Sequence, residues 1–482
     1  MGSEWKVIQL NQFVKHQKGF AFKSKDYVSS GIPVVRVSNF TDDSIDISDF
    51  KYVSSDIADE KIAFELVEND VVIATVGSWP KNPASVVGKV IRVPITATPS
   101  LLNQNAVVLR PISGEKYDKD FLFYLLKNND FSNYIISTAQ GSANQASITL
   151  KDIYAYSFPL PNPEERKVLS NILRKLDNKI TLNRQINQTL EQMAQTLFKS
   201  WFVDFDPVVD NALDAGFFEQ DLAFSDELLR RVEVRKAVRE SDNFKPLSED
   251  IRRLFPNAFE KCAESALGLG GWVPKAWKVK MLGEITDELR RGISPKYIEE
   301  GGVQVINQKC IRNHEISYEL TRRHNQEIRS ISGRELNIGD VLVNSTGVGT
   351  LGRIAQVTSL PETTVVDSHV TVVRASDEMC PIFTFGQLMI SMEKNIERLG
   401  EGSTGQTELS RKILSEQLVI LPPRNIAVKA EVSFKSFSEM QTANRNQNTE
   451  LTKLRDTLLP KLISGELSLS DIKIDIPEET LI

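Results

Sequence analysis

At 482 residues the chain is too long for one ordinary domain and long enough for two or three, each with its own core. Hydrophobic residues make up 41% and charged residues 25%, and no apolar run approaches the roughly 20 residues of a membrane helix, which excludes a helical membrane-spanning class. The net charge is −6, and residues 204–266 hold 15 acids against 9 bases, which leaves 49 of each elsewhere, so neither large half has the bulk basic balance of a typical DNA binder.

The opening "MGSEWKVIQL" lacks the basic start and apolar core of a secretory signal, and the expectation is a cytoplasmic protein. From Trp5 to about Leu160 short β-rich runs such as "IPVVRV", "DVVIATVG" and "NAVVLRP" alternate with Gly, Pro, Asn and Ser, with helical stretches such as "DKDFLFYLLKN" between them. The same cues recur over residues 277–421. "WKVIQL" at Trp5 matches "WKVKML" at Trp277, "GIPVVRV" matches "GVQVINQ", "ELVENDVVIATVG" matches "ELNIGDVLVNSTG", "NAVVLR" matches "HVTVVR", and "GSANQ" at Gly141 matches "GSTGQ" at Gly402. A whole domain is written twice.

Each copy is followed by a long helical pattern. The first has Asn162 as N-cap, Pro163 at the first helical position and two acids in the first turn. Leu169, Leu173, Leu176, Ile180, Asn183, Asn187, Leu190, Ala194, Leu197 and Trp201 then step by four and three, a heptad seam. An offset of 261 residues carries this seam onto Ala430, Phe434, Phe437, Gln441, Asn444, Asn448, Leu451, Arg455, Leu458 and Leu462. An antiparallel pair would set Asn183 and Asn187 against Asn448 and Asn444. Amides in an apolar seam specify register, because a slip leaves one of them unpaired.

Catalytic signatures are absent. Asn82-Pro83 lacks the second proline and aromatic with which adenine methyltransferases hold a flipped base. "GLGG" at 268–271 and "STGVGT" at 345–350 are incomplete cofactor fingerprints, and no phosphate-binding loop occurs. His16, His314, His324 and His369 have no metal-ligand spacing, and Cys262, Cys310 and Cys380 are odd in number and far apart, so free thiols and no metal site are expected. What remains pointed is a set of polar loops between strands, whose side chains are of the types that read base edges. In the first copy the candidates are Arg36, Asn39, Lys81, Asn82, Gln104 and Gln145; in the second they are Asn307, Lys309, Asn344, Ser345, His369 and Gln406.

Residues 158–208, with the run "LFKSWFVDFDP", closely resemble the central conserved region of specificity subunits of Type I restriction-modification systems. "LFPNAFEKCAESALGLGGWVPKAWKVKMLGEI" at 254–285 and "LRDTLLPKLISGEL" at 454–467 extend the resemblance over almost the whole chain; "GWVPKAW" departs from a plainer Pro-x-Gly-Trp. The resemblance implies an α+β chain: two tandem mixed, β-rich target recognition domains separated by two long helices that form an antiparallel coiled coil with pseudo-two-fold symmetry. Its expected divisions are a first recognition domain at 1–160, a spacer helix at 161–203, an acidic connector at 204–270, a second recognition domain at 271–421, a second spacer helix at 422–465 and a tail at 466–482. The implied function is non-catalytic: each recognition domain reads half of a bipartite site on double-stranded DNA. The implied partners are two modification subunits, which carry S-adenosylmethionine, and restriction subunits, which carry ATP and Mg, with no cofactor on this chain. The aromatics Phe198, Trp201, Phe202 and Phe205, with Leu458, Leu462 and Ile463 in the second copy, form a candidate docking patch for the modification subunits. A self-sufficient methyltransferase with a fused recognition domain, and a coiled-coil scaffold that never touches DNA, are the alternatives.

Overall fold

The computed structural model describes residues 5–79, 87–142, 145–347, 349–400 and 408–467. Two compact units emerge. One takes the chain up to Asn183 together with the stretch from Gln447 on; the other runs from Arg184 to Asn446.

In the first unit the apolar run "VVIA" is buried along its length because it has a core on each side. Val71 and Ile73 pack into a cluster with Phe121, Leu125 and Leu169, while Val72 and Ala74 point into another with Leu66, Ile91 and Val108. Strand Val71–Ala74 lies inside a four-stranded antiparallel sheet ordered Val14–Lys18, Ala106–Pro111, Val71–Ala74, Val90–Arg92. A second sheet contains Tyr27–Val28, Lys51–Val53, Ile32–Val35, Ser100–Leu102 and Glu65–Leu66, with Ile32–Val35 and Ser100–Leu102 parallel. Lys6–Gln9 pairs with Ser157–Leu160 at the entrance to the first long helix.

The second unit repeats this plan, with one strand fewer in its second sheet. Its four-stranded sheet runs Thr286–Arg291, Val370–Ala375, Val341–Asn344, Ile354–Gln356, and its second sheet runs Tyr297–Ile298, Arg322–His324, Val303–Ile306, Thr364–Val366, again with the last two parallel. Lys278–Met281 pairs with Leu418–Leu421 before the second long helix. Shared constraints hold both copies. Buried Asp70 accepts from Arg110 Nε at 3.1 Å, and buried Asp340 accepts from Arg374 Nε at 2.7 Å. Gly19 and Gly292 allow the crossing of two strands, since a Cβ there would sit 1.9 Å from the Asn103 carbonyl oxygen or 2.1 Å from that of Asp367.

The long helices are Pro163–Phe198, 36 residues, and Arg424–Ser464, 41 residues. The first starts as its sequence predicts: Asn162 Oδ1 accepts from the Glu165 N–H and Glu165 accepts from the Asn162 N–H, both at 2.9 Å, a reciprocal capping box. Within each unit the two helical segments run antiparallel. In the first, Asn183 Nδ2 donates to Asn448 Oδ1 at 2.8 Å and to Gln447 Oε1 at 2.7 Å. In the second, Asn444 Nδ2 donates to Asn187 Oδ1 at 2.8 Å, and Asn187 and Gln441 exchange side-chain-to-carbonyl bonds at 3.1 Å. The asparagines face each other in the order that the seam pattern implies.

Residues 204–270 differ from expectation. They are a folded part of the second unit and not a separate connector. Helices Asp206–Asp214 and Asp226–Arg239 are laced by charges spaced four apart: Asp206 with Arg231, Asp210 with Arg235 at 2.7 Å and Asp214 with Arg239 at 2.6 Å. Three of its acids are thus paired with its own arginines inside the fold, and the net acidic excess of the stretch remains. Beneath it lies a cluster of Phe205, Val208, Val209, Phe217, Phe255, Phe259 and Trp272.

That cluster also corrects the docking patch. Phe198, Trp201, Phe202 and Phe205 are buried in it, with Trp201 edge-on to Phe255 at 5.1 Å and Phe205 edge-on to Trp277 at 5.4 Å. Leu462 and Ile463 are buried in the core of the first unit, and Leu458 packs against it. The aromatic density arises because the chain turns here: a π-helical turn at Lys199–Val203 and a left-handed Phe205 (φ +52°) redirect the backbone into the next helix, and the apolar side chains fill the corner. Among the described residues no helix is long and apolar enough to cross a membrane, and no group of acidic, His and Cys side chains has the arrangement of a metal site. All three cysteines are free thiols.

Candidate nucleic-acid interface

The duplicated scaffold offers the same exposed corner twice. In each copy a parallel strand ends in a 3-10 turn, Val37–Asn39 in the first and Gln308–Cys310 in the second. Its parallel neighbour ends beside it in a short polar loop, residues 103–105 or 367–369, tied by equivalent bonds: Asn103 N–H to Val35 O at 3.0 Å and Asp367 N–H to Ile306 O at 2.9 Å. The ladders fix further equivalences. Tyr27 lies opposite Val53 as Tyr297 lies opposite His324, so Lys51 and Arg322 occupy one position.

In the second domain this corner opens as a cleft of about 370 Å³ lined by Tyr297, Asn307, Lys309, Arg322, Asp367 and His369, among others. The loop predictions Asn307, Lys309 and His369 thus converge on one place. Lys309 and His369 are exposed; Asn307 caps its own turn, accepting from the Lys309 N–H at 2.9 Å. His369 Nδ1 lies 2.8 Å from Thr346 Oγ1, and its backbone N–H donates to Asp367 at 2.9 Å, which orients the ring. Burial pushes the Asp367 carboxyl above its ordinary range, against the lowering effects of the His369 N–H and of the charges of His369 and Arg322. Arg322 sits over Tyr297, its guanidinium carbon 3.3 Å from the ring centre.

Other loop predictions land elsewhere. Asn344 and Ser345 are fully buried: Asn344 Nδ2 donates to the Gln308 carbonyl at 3.0 Å, and Ser345 Oγ shares a 2.6 Å bond with Thr371. Asn344 holds the turn that carries Lys309, Ser345 ties its strand to the neighbouring Thr371, and neither presents a side chain to a groove. Asn39 is buried too, accepting from the Arg36 N–H at 3.0 Å and donating to the Asp49 carbonyl at 3.0 Å. Arg36 is partly exposed, with its guanidinium donating to the Asp49 carbonyl at 3.0 Å. Gln104 is exposed on the first-domain loop and Gln145 on strand Gln145–Ser147. Lys81, Asn82 and Gln406 lie outside the described residues. Sequence reasoning missed Tyr297 and Arg322; the match of Lys51 to Arg322 emerges only from strand register.

Residues 2–192 match the model of the Type I restriction modification DNA specificity domain. Those residues belong to that family. The likeness runs on through the rest of the chain. The Type I restriction enzyme HindI specificity subunit of Haemophilus influenzae is 28% identical over 365 residues, 72% of this chain and 77% of that one. The MjaIX specificity subunit of Methanocaldococcus jannaschii is 22% identical over 463 residues, 93% of this chain and 90% of its own length. The solved S subunit of a Type I system from M. genitalium shares the fold, with a TM-score of 0.52 at 14% identity over 95% of this chain and 96% of that one. The resemblance read from residues 158–208 holds, and the tandem β-rich domains with their long helices are the architecture of a specificity subunit.

Proposed function

We propose that this chain is the non-catalytic DNA-specificity subunit of a Type I restriction-modification complex, each recognition domain reading one half of a bipartite site on double-stranded DNA. The observation that carries this reading is the duplicated corner, one backbone displayed twice with different polar side chains on it: Arg36, Ser38, Lys51 and Gln104 in the first domain, Asn307, Lys309, Arg322 and Ser368 in the second. Polar groups of different donor and acceptor pattern on equal scaffolds suit the reading of two different base sequences.

The paired helices set the unread spacer between the halves. They also dock two modification subunits, which bind S-adenosylmethionine, while restriction subunits supply ATP- and Mg-dependent steps. With the aromatic corner buried, docking falls to the outer faces of the helices. Met193 and Leu454 stand at matching positions of the two helices and are 48% and 42% exposed, one apolar contact for each of two equal partners. The reading is tested by reconstituting the chain with its modification subunits and mapping methylated sequences; a two-part motif with a constant gap is expected. Adding seven residues to each helix near Gln185 and Asn446 keeps the seam in phase and lengthens the pair by about 10 Å, on the order of 3 base pairs. The gap should grow by one to three pairs while both halves keep their sequence; an unchanged gap in an assembled complex would pass the ruler's role to the partners.

A further inference from the structure

The two corners differ at several equivalent positions, three of which bear on the second domain's cleft. Ser38, Lys51 and Asn105 of the first domain stand where the second has Lys309, Arg322 and His369. The pairing of Asn105 with His369 follows from one conserved bond, the carbonyl of each accepting a backbone N–H from the next strand's end, Thr75 or Ser345, at 2.9 Å. At these three positions the second domain has two full cations and an imidazole on the rim of one cleft, where the first has a hydroxyl, an amide and one ammonium; at a fourth the balance is reversed, Arg36 of the first domain standing where the second has Asn307.

Arg322 is the pointed member of the set. Cation–π attraction to Tyr297 holds the guanidinium over the ring and so restricts the side chain at the rim of the cleft. A planar fork so restricted suits a ligand with two acceptors side by side. In the major groove guanine is the base that presents such a pair, O6 and N7, whereas adenine offers one acceptor and one donor and thymine one acceptor. Lys309, exposed on the facing turn, supplies a further donor from the same rim. We propose that Arg322, assisted by Lys309, reads a guanine in the half-site of the second domain. This rests on the functional reading above and adds the base and the side chain to it.

The test uses the complete chain reconstituted with its modification subunits and a duplex library randomised at each half-site position. The wild-type complex should require guanine at one position of one half. Arg322→Ala should relax that position by roughly ten- to a hundredfold and leave the other half unaltered. Arg322→Lys decides between base reading and phosphate contact: an ammonium restores a phosphate contact but not the two-pronged guanine contact, so the same position should stay relaxed. Co-purification with the partners verifies that both variants are folded. Uniform weakening at every sequence, rescue by lysine, or an unchanged motif overturns the proposal while the bipartite reading stands. A wild-type complex that methylates without any two-part preference overturns the functional reading, and the proposal with it.

Discussion

The two units keep one scaffold yet fasten it to the long helices with different chemistry. In the first, buried Asp177 of the first long helix accepts from Tyr124 Oη at 2.7 Å, from Arg92 at 3.4 Å and from Arg455 of the second long helix at 3.0 Å. Burial, with the Asp177 charge adding to it, keeps the Tyr124 hydroxyl protonated far above its ordinary range. In the second unit the corresponding work falls to the tip of a short hairpin, Ile311–Arg312 and Glu315–Ile316, turned by Asn313 and His314 in left-handed conformations, where the equivalent turn of the first domain, bridged from Phe40 to Ile45, carries Asp42 and Asp43. His314 donates from Nδ1 to Glu191 of the first long helix at 3.1 Å and from Nε2 to Glu393 of its own domain at 2.9 Å. Those hydrogen bonds, the one to Glu191 foremost, push the imidazole up to about 9. What is repeated is the part that makes the fold; what diverges is what touches other surfaces, the helices on one side and, in the proposal above, DNA on the other.

The sharpest break in the shared part is expected from Asp340→Ala. It leaves Arg374 with Glu288 as its remaining carboxylate and Asn337 N–H without an acceptor, at a cost of about 2 to 3 kcal/mol, and Asp70→Ala should act likewise in the first unit. Hydrogen exchange resolved by domain checks it: each variant should loosen its own four-stranded sheet. Equal loosening of both sheets by one variant would mean that the units do not carry separate cores.

The divergent part responds to pH. The folded His314 value lies above the ordinary 6.5, so its stabilisation is complete below about pH 6.5 and is lost as pH rises through about 9. Allowing for its partial exposure, the contribution is roughly 2 kcal/mol. Burial would raise the carboxyl of Glu191, but its hydrogen bonds from His314 and Gln195 outweigh that and hold it below its usual range; Glu393 is held low in the same way by His314. The acid side of the clasp is therefore lost only at low pH. Once divided by the intrinsic exchange rate, which itself rises with pH, protection at the hairpin should fall between pH 8 and 10 in the wild type and stay level there in His314→Ala, while the segments around Asp177, held by arginines that stay charged, should show no such step. A step of equal size in both units would contradict the difference.

These contrasts also show how far the sequence could be read. The repeat, the capped first helix and the facing asparagines were legible because each rests on local spacing: an N-cap three residues from its glutamate, a heptad, an offset kept over a whole domain. The misread parts rest on tertiary context. Phe198 and Trp201 looked like a docking patch because spacing cannot say that Phe255 and Trp277 will close over them. Asn344 and Ser345 looked like groove-facing loop residues because a polar side chain that satisfies a buried carbonyl and one that faces solvent are spelled alike. Residues 204–270 read as a linker because their acids and bases, a helix apart, meet only in the fold.

A smaller effect on stability is expected at the outer faces of the helices. Met193→Asp or Leu454→Asp should change folding by no more than about 0.5 kcal/mol, since both side chains are exposed. Each should nevertheless weaken capture of a modification subunit in a pull-down, one copy lost per variant. Full capture by the double variant would move docking to another surface.

The central claim, that equal positions on a repeated scaffold read the two halves of a DNA site, is tested most directly by transplanting one corner onto the other. Ser38→Lys, Lys51→Arg and Asn105→His give the first domain the rim of the second, and methylated sequences are then mapped beside those of the wild type. The account predicts that the first half changes toward guanine while the second half and the gap stay as they were. An assembled, active complex whose first half is unchanged, or whose second half changes as well, would contradict it.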